Sequence, residues 1–404
     1  MQHLYLHIPF CHRRCSYCDF NTYANLEDRI EAYVAALCAE LALLPAPPAL
    51  LAERAADGVL TSATLRPTIF FGGGTPSMLT LPQLERILQA ADRLVPVQQA
   101  EVSLEANPGT LLGADTPALD YLRGLLSLGI HRLSLGVQTL HDPLLRVLGR
   151  THTAAEAQQT YLLARQAGFE NISLDVMFGL PGQTFADWQA VVDALIAWQP
   201  DHLSAYSLIL EESTPLFAQV TSGRISVPDD DLTGAMYEHA IEQLALAGYQ
   251  HYEISNWARA STLPELAPRV PAYACQHNLA YWLNSDYLAA GAGAHGHVYP
   301  HRYSDILNVD AYIQAIQQGQ RPLAETTDLS HADLCAETMF MGLRLHAGVS
   351  RTHFAQRCGV DLDATYGDTL AQLAAQGLLA QDAHAVYLTA RGRNLGNRVF
   401  EHFV

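Results

Sequence analysis

Apolar positions along this chain fall into two rhythms. Short runs rich in β-forming residues cover 4–8, 68–71, 101–105, 132–137, 172–177 and 202–207. Between them lie longer stretches with apolar residues three and four apart, over 26–44, 81–94, 115–128, 153–167 and 185–198, and one more, 229–247, follows the sixth run. Alternation of this kind predicts a parallel sheet with helices packed across it, an α/β fold. The segment 45–67 is rich in Ala and Pro and reads as a helix end plus a loose connection. From about residue 330 the character changes. Residues 337–344 start a helical module, helical patterns continue over 352–357 and 362–376, a small hairpin pairs 378–380 with 386–388, and a last helix runs from Ala390 to the end. The expected units are a core over 1–215, an extension over 216–329 and a small C-terminal domain over 330–404.

The polar exceptions are not scattered. Cys11-His12-Arg13-Arg14-Cys15-Ser16-Tyr17-Cys18 follows the first run, and Gly72-Gly73-Gly74-Thr75-Pro76 follows the second. Glu105 ends the third and Gln138 the fourth. Asp175 lies in the fifth, before Gly179-Leu180-Pro181-Gly182, and the sixth runs into Leu208-Ile209. Parallel barrels place their sites at the C-terminal ends of strands, the face these residues share.

Composition narrows the function classes. A chain of 404 residues implies two or three units, and 49% hydrophobic residues suffice for a large core. A formal charge of −18 argues against nucleic acid as the main partner and against electrostatic docking on an anionic membrane. Its plainest effect is solubility. Seven cysteines in so long a chain do not make a disulfide framework, and Cys38, Cys275, Cys335 and Cys358 read as ordinary buried thiols. The start of the chain is not expected to be a signal peptide, and no apolar run approaches the roughly 18 residues of a membrane span. The expected compartment is the reducing cytoplasm.

Three cysteines within eight residues point to metal chemistry. Thiolates are the soft ligands that iron–sulfur clusters prefer, and a cluster held entirely by protein uses four. Three leave one iron open to a substrate or cofactor. Two alternatives stand beside this: three reduced cysteines on a surface loop, or a structural zinc with His7 or His12 as fourth ligand.

The other candidates also carry two readings each. The Gly72–Gly74 run exposes backbone that a ligand could approach, or simply marks a turn. Glu105 could pair with an ammonium or ribose hydroxyls, or partner a helix start. Arg150, twelve residues past Gln138, could grip a carboxylate or form a surface ion pair. Asp175 could hold hydroxyls or cap a loop. Tyr5 could stack on a ligand or pack in the core.

Cys-x3-Cys-x2-Cys after a short strand, opened by Tyr5-Leu6-His7-Ile8-Pro9-Phe10, resembles the radical S-adenosylmethionine (SAM) superfamily, and within it the oxygen-independent coproporphyrinogen III oxidase-like family. The resemblance covers nearly the whole chain. It implies a partial (β/α)6 barrel; periodicity alone does not fix six units. It implies that Cys11, Cys15 and Cys18 hold a [4Fe–4S] cluster. It further implies that Tyr5, Gly73, Gly74, Thr75, Glu105, Gln138, Arg150 and Asp175 bind SAM, with Ile209 a weaker backbone contact. In that family one electron from the cluster cleaves SAM to a radical that abstracts hydrogen; whether this chain performs that cleavage is a separate question.

The true oxidases resemble one another in carrying a further cysteine two residues past the third. Here that position is Phe20, in Cys18-Asp19-Phe20, as in the haem chaperone branch. His277-Asn278-Leu279-Ala280-Tyr281-Trp282 resembles a signature of that branch, in which the histidine is a proposed haem-iron ligand. On residues alone, a histidine among aromatics is more often a packed, hydrogen-bonded side chain. The Pro- and Ala-rich stretch before it, 258–274, reads as a surface loop longer than the family's usual connection. His295, closing the glycine run 291–296, is expected near the cluster. The C-terminal domain resembles the family's small winged-helix-like α+β domain. Mixed charge and no basic recognition helix argue against DNA there, and for a cover or a docking surface.

Two functions follow from the resemblance. One is a haem carrier that binds the cluster and SAM, holds haem as cargo and passes it to acceptor haem proteins such as respiratory enzymes at the membrane. The other is oxygen-independent oxidative decarboxylation of coproporphyrinogen III to protoporphyrinogen IX. Phe20 and the short N-terminal region favour the carrier. No catalytic residue is assigned, and the oligomeric state is left open.

Overall fold

A computed structural model describes residues 3–45, 59–267 and 269–404. Each of the six expected strands forms: β1 (His3–Ile8), β2 (Thr68–Gly73), β3 (Glu101–Ala106), β4 (Arg132–Gln138), β5 (Asn171–Phe178) and β6 (His202–Ser207). Three further strands join them: β7 (Tyr249–Glu253), β8 (Asn256–Arg259) and β9 (Leu288–Ala290). The sheet runs β9-β1-β2-β3-β4-β5-β6-β8-β7. Every neighbour from β9 to β6 is parallel, and β8 and β7 close the far edge antiparallel. The two edge strands, β9 and β7, do not pair, so the barrel is partial, as expected.

The strands hold their places because their two faces differ. Leu4, Leu6, Ile8, Ile69, Phe71, Val102, Leu104, Leu133, Leu135, Ile172 and Leu174 are buried in one apolar core with the covering helices. Their alternates, including Tyr5, His7, Ser103, Glu105, Ser134, Ser173 and Asp175, occupy the opposite face, because successive side chains of a strand point to opposite sides. That second face is the interior of the barrel. A one-residue slip would turn the leucines inward and the carboxylates into the core, which pins the register.

The covering helices are α1 (Ile30–Leu43), α2 (Leu81–Ala91), α3 (Ala118–Ser127), α4 (Ala154–Ala167), α5 (Phe185–Trp198) and α6 (Asp230–Leu246). Their starts are set by capping boxes, Thr80 with Gln83, Thr153 with Glu156 and Thr184 with Asp187, and by Asp229, which accepts from the Leu232 N–H. Of the loose connection expected over 45–67, residues 46–58 lie outside the described residues. In the described part, Leu60 and Leu65 are buried in a second apolar cluster with Tyr252, Ala258, Val270 and Leu279. The reading of 258–274 as surface holds for 260–265, which are exposed, and is corrected at Ala267, Val270 and Ala274, which are buried in that cluster.

Beyond the sheet, α7 (Gln276–Trp282) crosses the N-terminal ends of β1 to β4. The Gln276 N–H donates to Glu101 (2.9 Å), and Arg132 donates to the Tyr273 carbonyl (3.2 Å). A three-stranded antiparallel sheet (His295–Val298, His301–Asp305, Leu323–Asp328) and α8 (Val309–Gln317) complete the barrel's side. The C-terminal module has its own core of Leu334, Met339, Phe354, Leu370, Leu373, Val386 and Val399. It comprises α9 (His331–Gly342), helices Arg351–Cys358 and Leu362–Ala375, and the expected hairpin, Leu379–Gln381 with Ala385–Leu388, joined by Val349–Ser350. The single last helix expected from Ala390 is two short ones, Ala390–Asn394 and Gly396–Phe400, broken at Leu395. Arg302 binds Glu337 through both carboxylate oxygens (2.9 and 2.8 Å) and Arg357 binds Asp286 (2.6 Å), fastening the module to the barrel's side.

One joint ties the strand ends to α1. Glu40, fully buried, accepts from the Gly291 N–H (2.9 Å) and the Tyr312 hydroxyl (2.5 Å). Tyr33 donates to the His7 carbonyl (2.7 Å) and accepts from the Ala292 N–H (2.9 Å). Asp305 is buried beside Glu40, and desolvation together with that neighbouring carboxylate raises its pKa. Gly291 has φ 110°, and a Cβ there would lie 2.5 Å from the His7 carbonyl oxygen and 2.6 Å from the Tyr33 hydroxyl. Gly319 has φ 73° and nothing within 4 Å. Gly291→Ala is therefore expected to cost at least ~2 kcal/mol more than Gly319→Ala, since both carry the backbone penalty and only one the clash. Denaturant midpoints of the two variants measure the difference; equal midpoints would remove Gly291 from this joint.

Candidate functional site

The cluster loop is held from both sides. Phe10–Cys11 pairs with Tyr23–Ala24 as a two-residue parallel bridge, so the loop leaves and returns at one place. At its far side the Ser16 N–H donates to the Leu148 carbonyl (3.0 Å), its hydroxyl to the Val147 carbonyl (2.9 Å), and its own carbonyl accepts from the Leu216 N–H (2.9 Å). Tyr17 packs on Leu144, Leu148, Met177 and Leu180. The three thiols are half-buried. Thr75 donates to the Cys11 sulfur (3.4 Å) and Arg150 Nη1 to the Cys15 sulfur (3.6 Å). Burial pushes the Cys11 thiol up to about 11 and raises Cys18, so binding metal here must expel protons.

These residues fit a [4Fe–4S] cluster. Three soft donors on one pinned loop are each within reach of a hydroxyl, a guanidinium or backbone that can tune a thiolate. Next to them the second strand ends in a cradle that only glycine can form. Gly73 has φ 111°, and a Cβ on it would lie 2.5 Å from the His7 ring. A Cβ on Gly74 would lie 2.6 Å from the Phe10 carbonyl oxygen.

The SAM candidates converge on the same end of the barrel. Glu105 accepts from the Gly73 N–H (3.1 Å). Its carboxyl is pushed up to about 8, chiefly by burial, then by Asp175, against the Gly73 N–H. Asp175 accepts from Ser134 (2.7 Å) and Ser173 (3.2 Å); burial raises its pKa, and the serine hydroxyls oppose that. Gln138 sits at φ 66° where β4 slips register against β5, which turns it out of the ladder. A Cβ on Gly136 would meet Gln138 Nε2 at 3.0 Å and Arg150 Nη2 at 3.1 Å, so both side chains occupy the space that glycine leaves. Arg150 Nη2 donates to the Gly136 carbonyl (2.5 Å), and its buried Nε has no partner among the described residues. Tyr5 bonds to His7 Nδ1 (3.0 Å). Ile209, past the end of β6, is 70% exposed.

His277 lies below this group, its ring stacked on that of Tyr5 (6.4 Å, 28°). It is on α7, at the opposite end of the barrel from the cluster loop, and 1% exposed. Its Nδ1 bonds to Thr68 Oγ1 (2.7 Å), which also bonds to His3 (3.0 Å), and its Nε2 bonds to the Tyr281 hydroxyl (3.0 Å). The ring stacks on Phe70 (5.0 Å, 22°). Burial holds its pKa well below the ordinary value. Neither nitrogen has a lone pair free for iron in this arrangement.

Sequence reasoning weighed His7 only as a zinc ligand and did not name Asn21, Ser134 or Ser173. His7 links Tyr5 to the Asn21 carbonyl (2.9 Å), and Asn21 donates to the carbonyls of Ala292 (2.9 Å) and Leu307 (3.0 Å). Ser134 and Ser173 hold Asp175. Strand alternation carried the signal, because all but Asn21 share parity with a named residue on their own strand.

Comparison with known proteins agrees with this geometry. The chain matches the Radical SAM superfamily over residues 5–195 and the HemN C-terminal domain over 329–395. It is 36% identical over 406 residues to the heme chaperone HemW of Bacillus subtilis (strain 168), covering 100% of this chain and 99% of that one. Identity is 32% over 403 residues to the heme chaperone HemW of Mycobacterium tuberculosis (strain ATCC 25618 / H37Rv), covering 98% and 93%. It is 34% over 361 residues to the mitochondrial radical S-adenosyl methionine domain-containing protein 1 of Danio rerio, covering 87% and 74%. Among solved structures, coproporphyrinogen III oxidase (HemN) from Escherichia coli shares the fold, with a TM-score of 0.76 at 23% identity over 99% of this chain and 89% of that one. The chain belongs to the HemW family of the radical SAM superfamily.

Proposed function

We propose that this protein is a haem chaperone that binds a [4Fe–4S] cluster and SAM, holds haem and hands it to acceptor haem proteins. Full-length similarity to HemW proteins carries the reading. The likeness to the oxidase is one of fold, and Phe20, at the position of the oxidases' further cysteine, is 69% exposed and offers no metal donor.

In this reading Cys11, Cys15 and Cys18 hold the cluster. Arg150, between Cys15 and the Gly136 carbonyl, faces the SAM carboxylate with its fork, and its unpartnered Nε supplies a further donor. Gly73, Gly74 and Thr75 present backbone to the SAM ammonium. Glu105 and Asp175 face the ribose hydroxyls, each held by N–H or hydroxyl donors of neighbouring strands. Tyr5 and Gln138 flank the pocket, and Ile209 contributes backbone at its rim. When bound, the cluster and SAM supply one-electron chemistry. The protein positions them and withholds water.

In this reading the acceptors are haem proteins such as respiratory enzymes at the membrane, and the site of action is the cytoplasm.

An anaerobic assay with reconstituted cluster, reductant and SAM separates the two activities. Haem offered to the wild type is expected to bind stably, coproporphyrinogen III to remain undecarboxylated, and Cys15→Ala to lose the cluster chromophore. Stoichiometric decarboxylation would overturn the chaperone reading.

Glu105 yields a pH prediction. Its carboxyl, raised to about 8, is mostly protonated at pH 7 before SAM arrives. The positive charge of SAM favours the carboxylate, so binding releases a proton and affinity rises as pH increases from 6 to about 8. Calorimetry in buffers of different ionisation enthalpy is expected to detect that proton with wild type and not with Glu105→Gln. Equal proton release in both would move the titration to another group.

A further inference from the structure

A haem ligand must offer a lone pair beside a surface that accepts a flat, apolar macrocycle. His277 offers neither, since both its nitrogens are bonded and its ring is sealed under Phe70 and Tyr281. The opposite end of the barrel offers both. Around the cluster loop, Phe20 is 69%, Leu307 57% and Ile209 70% exposed. Three large apolar side chains bare at the end of the barrel that holds the cluster mark a binding face more than a random surface.

The residue after Phe20 is tied to the backbone of Leu307 there. Asn21, next to Phe20, donates to the Leu307 carbonyl and to the Ala292 carbonyl. Gly293 packs so closely that a Cβ on it would lie 2.5 Å from Asn21 Nδ2. Two residues on, His295 opens its strand, exposed, and near enough to His7 for charge on it to be felt there. His12, another exposed imidazole on this side, already faces Glu27 at 3.6 Å. The cluster loop adds charge. In a chain of net −18, the loop between Cys11 and Tyr23 carries Arg13 and Arg14, both exposed, against one acid, Asp19.

We propose that haem iron is ligated by His295 at the mouth of the barrel, with the macrocycle lying on Phe20, Leu307 and Ile209 and its propionates facing Arg13 and Arg14. An apolar face, one imidazole and two cations match the three chemical parts of haem. The proposal rests on the chaperone reading. It leaves His277 the task of closing the barrel floor.

The test titrates ferric haem into the cluster-reconstituted full chain, anaerobically, and reads affinity and the axial-ligand signature by absorption and electron paramagnetic resonance. His295→Ala is expected to lose the histidine signature, weaken haem by about tenfold or more, and regain the signature with added imidazole. His277→Gln, which can still bond to Thr68 and Tyr281, is expected to match wild type. Phe20→Ser with Leu307→Ser is expected to weaken haem roughly tenfold while keeping the signature. A wild-type signature in His295→Ala, or its loss in His12→Ala instead, overturns the assignment and leaves the chaperone reading standing. Failure of the wild type to bind haem at all overturns both.

Discussion

The two faces of six parallel strands impose the constraint on which everything else depends. The outer face is leucine, isoleucine and phenylalanine under helices, and it holds the sheet together by burial. The inner face is charged and hydroxylic, and it lies where bulk water does not compete. An unpaired polar group in such a place costs roughly 1–3 kcal/mol, so the interior must satisfy itself or be satisfied by a ligand. At the floor much of it satisfies itself, although Ser103 Oγ and Trp282 Nε1 have no partner among the described residues. Arg132 bonds to Asn171 (2.7 Å) and the Tyr273 carbonyl, Glu101 to the Gln276 N–H, and His202 to Ser173 (2.9 Å) and Tyr252 (2.8 Å). At the mouth, Arg150 Nε has no partner among the described residues, and burial raises the pKa of both Glu105 and Asp175. The same barrel is closed chemistry at one end and open chemistry at the other.

That asymmetry explains why the site survives on loops. The cluster loop has little core of its own, yet Val147, Leu148 and Leu216 grip Ser16 from other elements, and Tyr17 drops into a small apolar cluster beneath. The wall beside it is equally over-determined. Glu40, Tyr33 and Tyr312 fix the Gly291–Ala292 backbone, and Asn21 fixes its continuation. The C-terminal module contributes from farther away. Its pairs Arg302–Glu337 and Arg357–Asp286 steady the segment that leads into β9, and Arg344 lies over the Trp282 ring (4.4 Å) at the end of the floor helix.

Much of this was legible in sequence because it is local. The cysteine spacing, the glycine run and the strand-end polar residues each follow from a few consecutive positions, and strand alternation put their neighbours on the same face. The parts that were not legible depend on distant segments. Leu288-Ala289-Ala290 has too few residues and too weak a β preference to announce a strand; it becomes β9 because β1 offers it a free edge. Glu40 sits at an apolar position of α1, and only the backbone it meets 251 residues later makes a carboxylate tolerable there. The stretch before α7 looks like surface by composition, yet Val270 and Ala274 are what the floor needs to close.

His277 is the sharpest case, because its chemistry was readable and its address was not. A histidine followed by tyrosine and tryptophan is compatible with iron and with a packed core, and those outcomes differ by which end of the barrel receives the helix. The Glu101 carboxylate decides it. By accepting the Gln276 N–H, at the first turn of α7, it draws that helix onto the strand starts, where His3, Thr68 and Tyr281 complete the imidazole's bonds. Once those bonds form, exposing the ring means breaking a chain of four polar side chains and unstacking Phe70. The mouth asks for no such rearrangement. There an exposed imidazole, bare apolar side chains and two arginines already stand where the unpaired half of the barrel interior opens to solvent.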